Sequence, residues 1–328
     1  MSSFSLNATV RNQFVTGMKA IEIKGISKSY GKVKALDSIS LDVASGEIFG
    51  LIGPDGAGKT TLFRIMTTLM LPDEGSGTVC GLDIVKDYSA IRRIIGYMPG
   101  RFSLYQDLSV KENLDYFATL FGTTVEANYG TIKEIYSQIE PFADRRAGKL
   151  SGGMKQKLAL CCALVHRPSV LFLDEPTTGV DAVSRTDFWN MLSRIKASGV
   201  TIFVSTPYMD EAARCDRLAL IRDGGIIGTG TPDEIVSEFP FGLLAVRGER
   251  MYPLLKELRR MKGVVSCFSF GDSHHLAYDP TVTDRERILA GLSDIGFGDC
   301  SVRDISPCIE DCFMWLSSRS AADRTAEA

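Results

Sequence analysis

Gly53-Pro54-Asp55-Gly56-Ala57-Gly58-Lys59-Thr60 follows directly on the apolar run Ile48–Ile52, and the next residues, 60–69, read as a helix. Strand, glycine-rich turn and helix in that order make a phosphate-binding loop. Gly53, Gly56 and Gly58 let the chain bend without a Cβ, so that successive N–H groups point at phosphate oxygens. The helix N-terminus adds a positive dipole. Lys59 is placed to reach the β- and γ-phosphates and the Thr60 hydroxyl to bind Mg²⁺, with Thr61 completing the contact set.

A second stretch, Val170-Leu171-Phe172-Leu173-Asp174-Glu175-Pro176, is four apolar residues ending in two acids. A buried strand delivers such acids to its C-terminal edge, where α/β folds bind ligands. Asp174 is then the second anchor of a Mg²⁺ ion beside Thr60. Glu175 is the water-polarising base and Lys59 the charge stabiliser. A third stretch, Leu150-Ser151-Gly152-Gly153-Met154-Lys155-Gln156, precedes a helix, gathering a hydroxyl, backbone amides and a dipole at one point.

With these three segments in the chain order 53–60, 150–156 and 170–176, residues 20–235 resemble the ATP-binding cassette (ABC) transporter ATPases. Met154-Lys155-Gln156 after the glycines, with SPCIEDCFMWL at 306–316, is most similar to bacterial drug-type exporter cassettes. The resemblance implies an α/β P-loop cassette with a mixed-sheet core and an inserted helical subdomain. It implies ATP and Mg²⁺ as ligands and two cassettes packed head to tail. Ser151, Gly152 and Gly153 would then meet the ATP of the partner cassette and not the one held by their own Lys59. Tyr30 corresponds to the aromatic that stacks on adenine, and Gly179, Val180 and Asp181 to the loop joining the two sites. LYQDLSVKENL at 104–114 is similar to the segment that receives an integral membrane subunit. The chain would thus sit peripherally on the cytoplasmic face of the inner or plasma membrane.

Two positions depart from the family pattern. Where a glutamine usually follows Tyr-Met-Pro, this chain has Gly100; where a histidine usually follows Ser-Thr, it has Pro207. Proline offers neither a polar side chain nor an N–H. Pro207 suits the first turn of a helix, with Thr206 as N-cap and Asp210 and Glu211 at favourable early positions. The site is therefore expected to hold ATP but split it slowly, Arg101 or Gln106 being the nearest substitutes. The intact Ser151 segment would complete the site of a second cassette, a heterodimer being favoured over a homodimer. Two other readings stay open. One is an ATP-gated regulatory subunit with negligible hydrolysis. The other is a non-transport ABC ATPase acting on DNA or ribosomes, which a long coiled-coil insertion or basic tracts would have marked.

The bulk sequence sets the remaining limits. Its 328 residues are 45% apolar and 23% charged, with net charge −3, as in an ordinary two-domain globular protein. No concentrated basic field suggests nucleic acid. The eight cysteines lack CxxC spacing and read as free or buried thiols of a reducing compartment. No apolar core segment marks residues 1–17 as a leader. The apolar runs near 158–165 and 170–173 are far below the roughly 20 residues of a membrane span. The expected organisation is a flexible tail at 1–17, a cassette at 18–239 with its helical subdomain at about 88–163, and a small accessory domain at 240–328. The last reads as strand, helix, hairpin, helix, strand and a short closing helix at 308–317, the order of a ferredoxin-like α+β unit. It would regulate cassette closure, stabilise the dimer or pack passively. His274 and His275 lie adjacent on its hairpin and point to opposite faces, so they read as structural or exposed and not as a metal site.

Overall fold

The computed structural model describes residues 19–326, and the tail expected at 1–17 lies outside them. The chain separates into two compact units that divide between Thr231 and Pro232.

In the first unit, Ile48–Ile52 is wholly buried, as a strand without alternation must be when both faces are covered. It lies inside a six-stranded sheet ordered Gly225–Gly230, Arg217–Arg222, Ile48–Ile52, Thr201–Thr206, Val170–Asp174, Ile95–Met98. The strands pair in parallel except Gly225–Gly230, which turns back on Arg217–Arg222. That turn is Asp223-Gly224, with φ of 49° and 78°, the type I′ form that matches strand twist. A second, antiparallel sheet runs Val33–Ala44, Lys19–Tyr30, Glu74–Val79, Leu82–Asp83 and shares an apolar core with the first. Phe63, on the helix Lys59–Met66, meets Phe172 edge-on at 5.8 Å and Phe203 at 4.7 Å between ring centres. Burying each such ring is worth roughly 1.5–3 kcal/mol, so the helix behind the phosphate loop is fixed to the strands that carry the acids.

The region expected to be helical contains the helices Tyr88–Ile94, Val110–Leu120, Val125–Tyr136 and Gly152–Leu164. Ser109 and Glu112 form a reciprocal cap on the second, and Thr124 and Ser151 cap the third and fourth. Ile95–Met98 departs from the expectation. This run pairs in register with Val170–Leu173 as the outermost strand of the core sheet. Four apolar residues are too few to show a period, so only their partner decides their form.

The second unit begins with the helix Pro232–Ser237, which packs with the last helix, Ile309–Ala326, and so belongs with it. The composition break at Phe239–Gly242 falls after that helix, and Phe239 and Phe241 pack edge-on to Trp315. The strands Gly242–Arg247, Val264–Phe270, Ser273–Tyr278 and Ser301–Asp304 form an antiparallel sheet in the order second, third, first, fourth. With Met251–Leu258 and Arg285–Asp294 in the crossovers, this is the ferredoxin-like βαββαβ arrangement. The closing helix runs to Ala326, well past the expected end at 317. His274 is buried between Met251 O (2.8 Å) and Ser269 Oγ (3.1 Å), whereas His275 pairs with Asp311 at 2.8 Å and stacks on Phe270. The two rings thus have separate structural partners.

Candidate nucleotide site

Strand register assembles the site. Ile52 pairs with Thr206, Ser205 with both Leu51 and Asp174, and Leu173 with Met98. The residues that follow each strand, Gly53, Pro207, Glu175 and Pro99-Gly100, therefore leave the sheet along one edge. The two positions that depart from the family pattern sit on the same edge as the phosphate loop and the acids.

Close approach shapes the loop. A Cβ on Gly53 would lie 2.1 Å from Ile221 O, and one on Gly58 2.4 Å from Ala35 O, with Gly58 also at φ 107°. Gly53 is thus required for lack of space, whereas the sequence suggested only a bend. The loop is tied to its neighbours by Gly53 N–H to Thr206 O (3.2 Å) and by Gly224 N–H to Ala57 O (3.1 Å). Pro54, Asp55 and Gly56 are exposed, Ala57 is buried, and Thr60 and Thr61 are half-buried at the helix start. Lys59 is buried; its Nζ donates to Gly53 O (2.8 Å) and Pro54 O (3.0 Å) and lies 3.1 Å from Glu175 Oε1. A buried ammonium, a glycine-lined cradle and a helix N-terminus meet here, which is what a polyphosphate requires.

Asp174 is buried and accepts a hydrogen bond from Ser205 Oγ at 2.7 Å. Burial raises its carboxyl above the usual range, and the hydroxyls of Ser205 and Thr60 pull it back. Thr60 and Asp174 are therefore together, and their oxygens are the hard donors that Mg²⁺ prefers. Glu175 follows with φ 49°, a left-handed backbone that costs a non-glycine residue roughly 1–3 kcal/mol and is concentrated at functional sites. Its N–H is held by Ser205 O (3.1 Å) and Ser205 Oγ (3.0 Å).

The remaining expected residues lie around this centre. Tyr30 ends its strand 46% exposed, its hydroxyl 3.1 Å from Met70 Sδ. Ser151 is exposed and caps its helix, Oγ accepting from Met154 N–H at 3.4 Å; Gly152 is exposed and Gly153 half-buried. Asp181 caps the helix Ala182–Ala197 and accepts from Ser184 N–H at 3.0 Å. Gly100, Arg101, Gly152, Gln156 and Glu175 line one cleft of about 160 Å³.

One expectation is corrected. Residues after Pro207 do not start an α-helix capped by Thr206. A 3-10 segment, Met209–Arg214, follows Tyr208, and Glu211 turns inward to 4% exposure. Its Oε2 accepts from Thr206 Oγ1 (2.5 Å) and Thr177 Oγ1 (3.1 Å), so both hydroxyls are drawn to a buried carboxylate. Thr206 Oγ1 also accepts from Tyr208 N–H at 3.1 Å. Sequence reasoning missed Ser205, Thr177 and the inward Glu211. No local pattern marks them, because each partner is fixed by register or by a turn.

The profile of the ABC transporter family matches residues 36–178. The chain is 38% identical over 303 residues to the probable multidrug ABC transporter ATP-binding protein YbhF of Escherichia coli (strain K12), a match covering 90% of this chain and 52% of that protein. The chain thus spans about half the length of that relative. It is 33% identical over 310 residues to the daunorubicin resistance ATP-binding protein DrrA3 of Streptomyces coeruleorubidus, covering 91% of this chain and 96% of that one. Among solved structures, an ATP-binding subunit of an ABC transporter superposes with TM-score 0.62 at 27% identity, covering 67% of this chain and 93% of that one. A dimeric post-hydrolysis cassette bound to ADP and Pi superposes with TM-score 0.59 at 25% identity, covering 64% and 98%.

Proposed function

Since the chain belongs to the ABC transporter ATP-binding family, we propose that it is the energy-coupling subunit of an exporter, with an intrinsically slow nucleotide site of its own. The observation that carries this is the shared edge. Lys59, Thr60, Asp174 and the amide cradle keep the parts needed to hold Mg·ATP, while Gly100 and Pro207, on the same edge, supply neither polar side chain of the family pattern.

Thr60 and Asp174 would hold Mg²⁺, whose charge would offset that of the phosphates. The chain's own residues supply the rest. The amides of Gly56 and of Gly58 to Thr61 cradle the phosphates, Lys59 stabilises charge and Glu175 polarises the attacking water. Tyr30 takes the adenine. Ser151, Gly152 and Gly153 face outward to complete the ATP site of a partner cassette. A heterodimer with a cassette bearing the glutamine and histidine contains one fast site; a homodimer contains two slow ones.

The membrane subunit docks in a groove of about 490 Å³ lined by Leu69, Tyr88, Leu104, Phe117, Leu120 and Phe121. Leu69, Tyr88 and Leu120 are 58%, 52% and 62% exposed there, so the groove offers apolar side chains to a partner. Among the described residues no helix is long and apolar enough to cross a membrane; in this reading the chain attaches at the cytoplasmic face through the membrane subunit. Export as the direction follows the multidrug and daunorubicin-resistance relatives.

The test is ATP turnover by the purified chain, alone and with the chains it pulls down from membranes. Slow turnover alone, rising on addition of a complete cassette, supports the reading. Turnover that stays near zero in the full assembly, with ATP still bound, replaces it by an ATP-gated regulator. Many turnovers per second by the chain alone, abolished by Glu175→Gln, sinks it.

A further inference from the structure

The strand Thr201–Thr206 has no histidine after it, yet it remains joined to the reacting centre through Ser205. This residue is fully buried. Its Oγ donates to Asp174 Oδ1 at 2.7 Å and accepts the Glu175 N–H at 3.0 Å, while its carbonyl accepts the same N–H at 3.1 Å. A hydroxyl has one proton to give, and here it is spent on Asp174. One oxygen of that carboxylate is thereby fixed in direction, with the Thr60 hydroxyl acting on the same group. Two bonds to the Glu175 N–H hold the peptide where the chain enters its left-handed turn at φ 49°. One side chain thus sets both acids.

We propose that Ser205 is a positioning residue that aims Asp174 at the metal and holds Glu175 beside it. The inference rests on the reading of Asp174 as a Mg²⁺ anchor. Hydrogen bonds from behind a metal ligand typically govern about 10- to 100-fold in metal affinity or activity. A buried serine that merely fills space would show no such preference for the metal.

The experiment is a Mn²⁺ titration, followed by electron paramagnetic resonance, of the full chain with a non-hydrolysable ATP analogue. Analogue binding in excess chelator is measured beside it. Ser205→Ala should weaken Mn²⁺ about 10- to 100-fold and leave metal-free analogue binding within about threefold. Ser205→Thr, which keeps the hydroxyl, should restore most of the metal affinity. Should Ser205→Ala fail to fold, Ser205→Cys, close in size but a weak donor, replaces it with the same expectation. The proposal is overturned by unchanged Mn²⁺ affinity in the Ala or Cys variant, or by equal loss of metal-free analogue binding. Asp174→Ala separates the two levels. If it abolishes Mn²⁺ binding while Ser205→Ala does not weaken it, only the role of Ser205 falls. If Asp174→Ala also leaves Mn²⁺ affinity unchanged, the anchor reading falls with it.

Discussion

Replacing Gly100 by Gln and Pro207 by His puts back the two polar side chains that the edge of the sheet lacks. One preorganised transition-state contact is worth about 100- to 1,000-fold in rate, or about 2.7–4 kcal/mol. The structure sets where each change falls in that range. A Cβ at Gly100 would lie 3.0 Å from Asp174 O, so the backbone must give by a few tenths of an ångström before a glutamine fits. Gly100→Gln is accordingly expected at the lower end, about 100-fold. At Pro207 the neighbouring bond from Tyr208 N–H to Thr206 Oγ1 needs no rearrangement, so Pro207→His should reach the middle of the range. Both contacts serve one transition state, so the pair should give about 1,000-fold and not the product. Phosphate release by the purified chain measures this, with ATP binding measured separately and Glu175→Gln in the double variant as the control that must abolish the gain. A double variant that binds ATP normally yet hydrolyses it no faster than the parent would show that the two missing side chains do not limit turnover.

Acid should weaken the first unit through His166. Its ring is half-buried, stacks on Phe121 at 3.7 Å, and is held well below its ordinary value of 6.5, at about 4, by loss of solvent. At neutral pH both states leave it neutral; below 6.5 the unfolded chain takes the proton first, so stability is lost from pH 6.5 down to about 4, by about 3 kcal/mol in all. Urea midpoints at pH 7 and 4.5 should differ less for His166→Phe than for the parent. Gly58→Ala puts a Cβ 2.4 Å from Ala35 O and should both abolish ATP binding and cost roughly 1–3 kcal/mol, read by nucleotide titration and thermal melting. Leu120→Asp, at a 62% exposed position, should change stability by less than about 0.5 kcal/mol yet abolish recovery of the chain with membranes, as sedimentation would show.

The parts of the molecule that depend on near neighbours in sequence were legible. The phosphate loop was, because Ile48–Ile52, the glycines and Lys59 are contiguous and each shape follows from the residue before it. Asp174 and Glu175 were, because a fully apolar run can only end at a strand edge. The ferredoxin-like unit was, because its element order admits few sheets. What could not be read depended on distant pairing. Ile95–Met98 is a strand only because Val170–Leu173 lies beside it. Ser205 meets Asp174 across two strands separated by a whole helix. Glu211, expected at a favourable early position of a helix, is instead carried by a 3-10 turn under Thr177 and Thr206.

The Asp223-Gly224 turn looks like a convenient hairpin tip, the sort of place where a fluorophore, an affinity tag or a short peptide is usually grafted. Here the graft would disable the protein. Gly224 hands its N–H to the Ala57 carbonyl, and Asp37 N–H reaches back to the Gly224 carbonyl at 2.8 Å, so the tip is sewn into the wall of the ATP cradle. A reporter placed there would report mainly on the damage it causes.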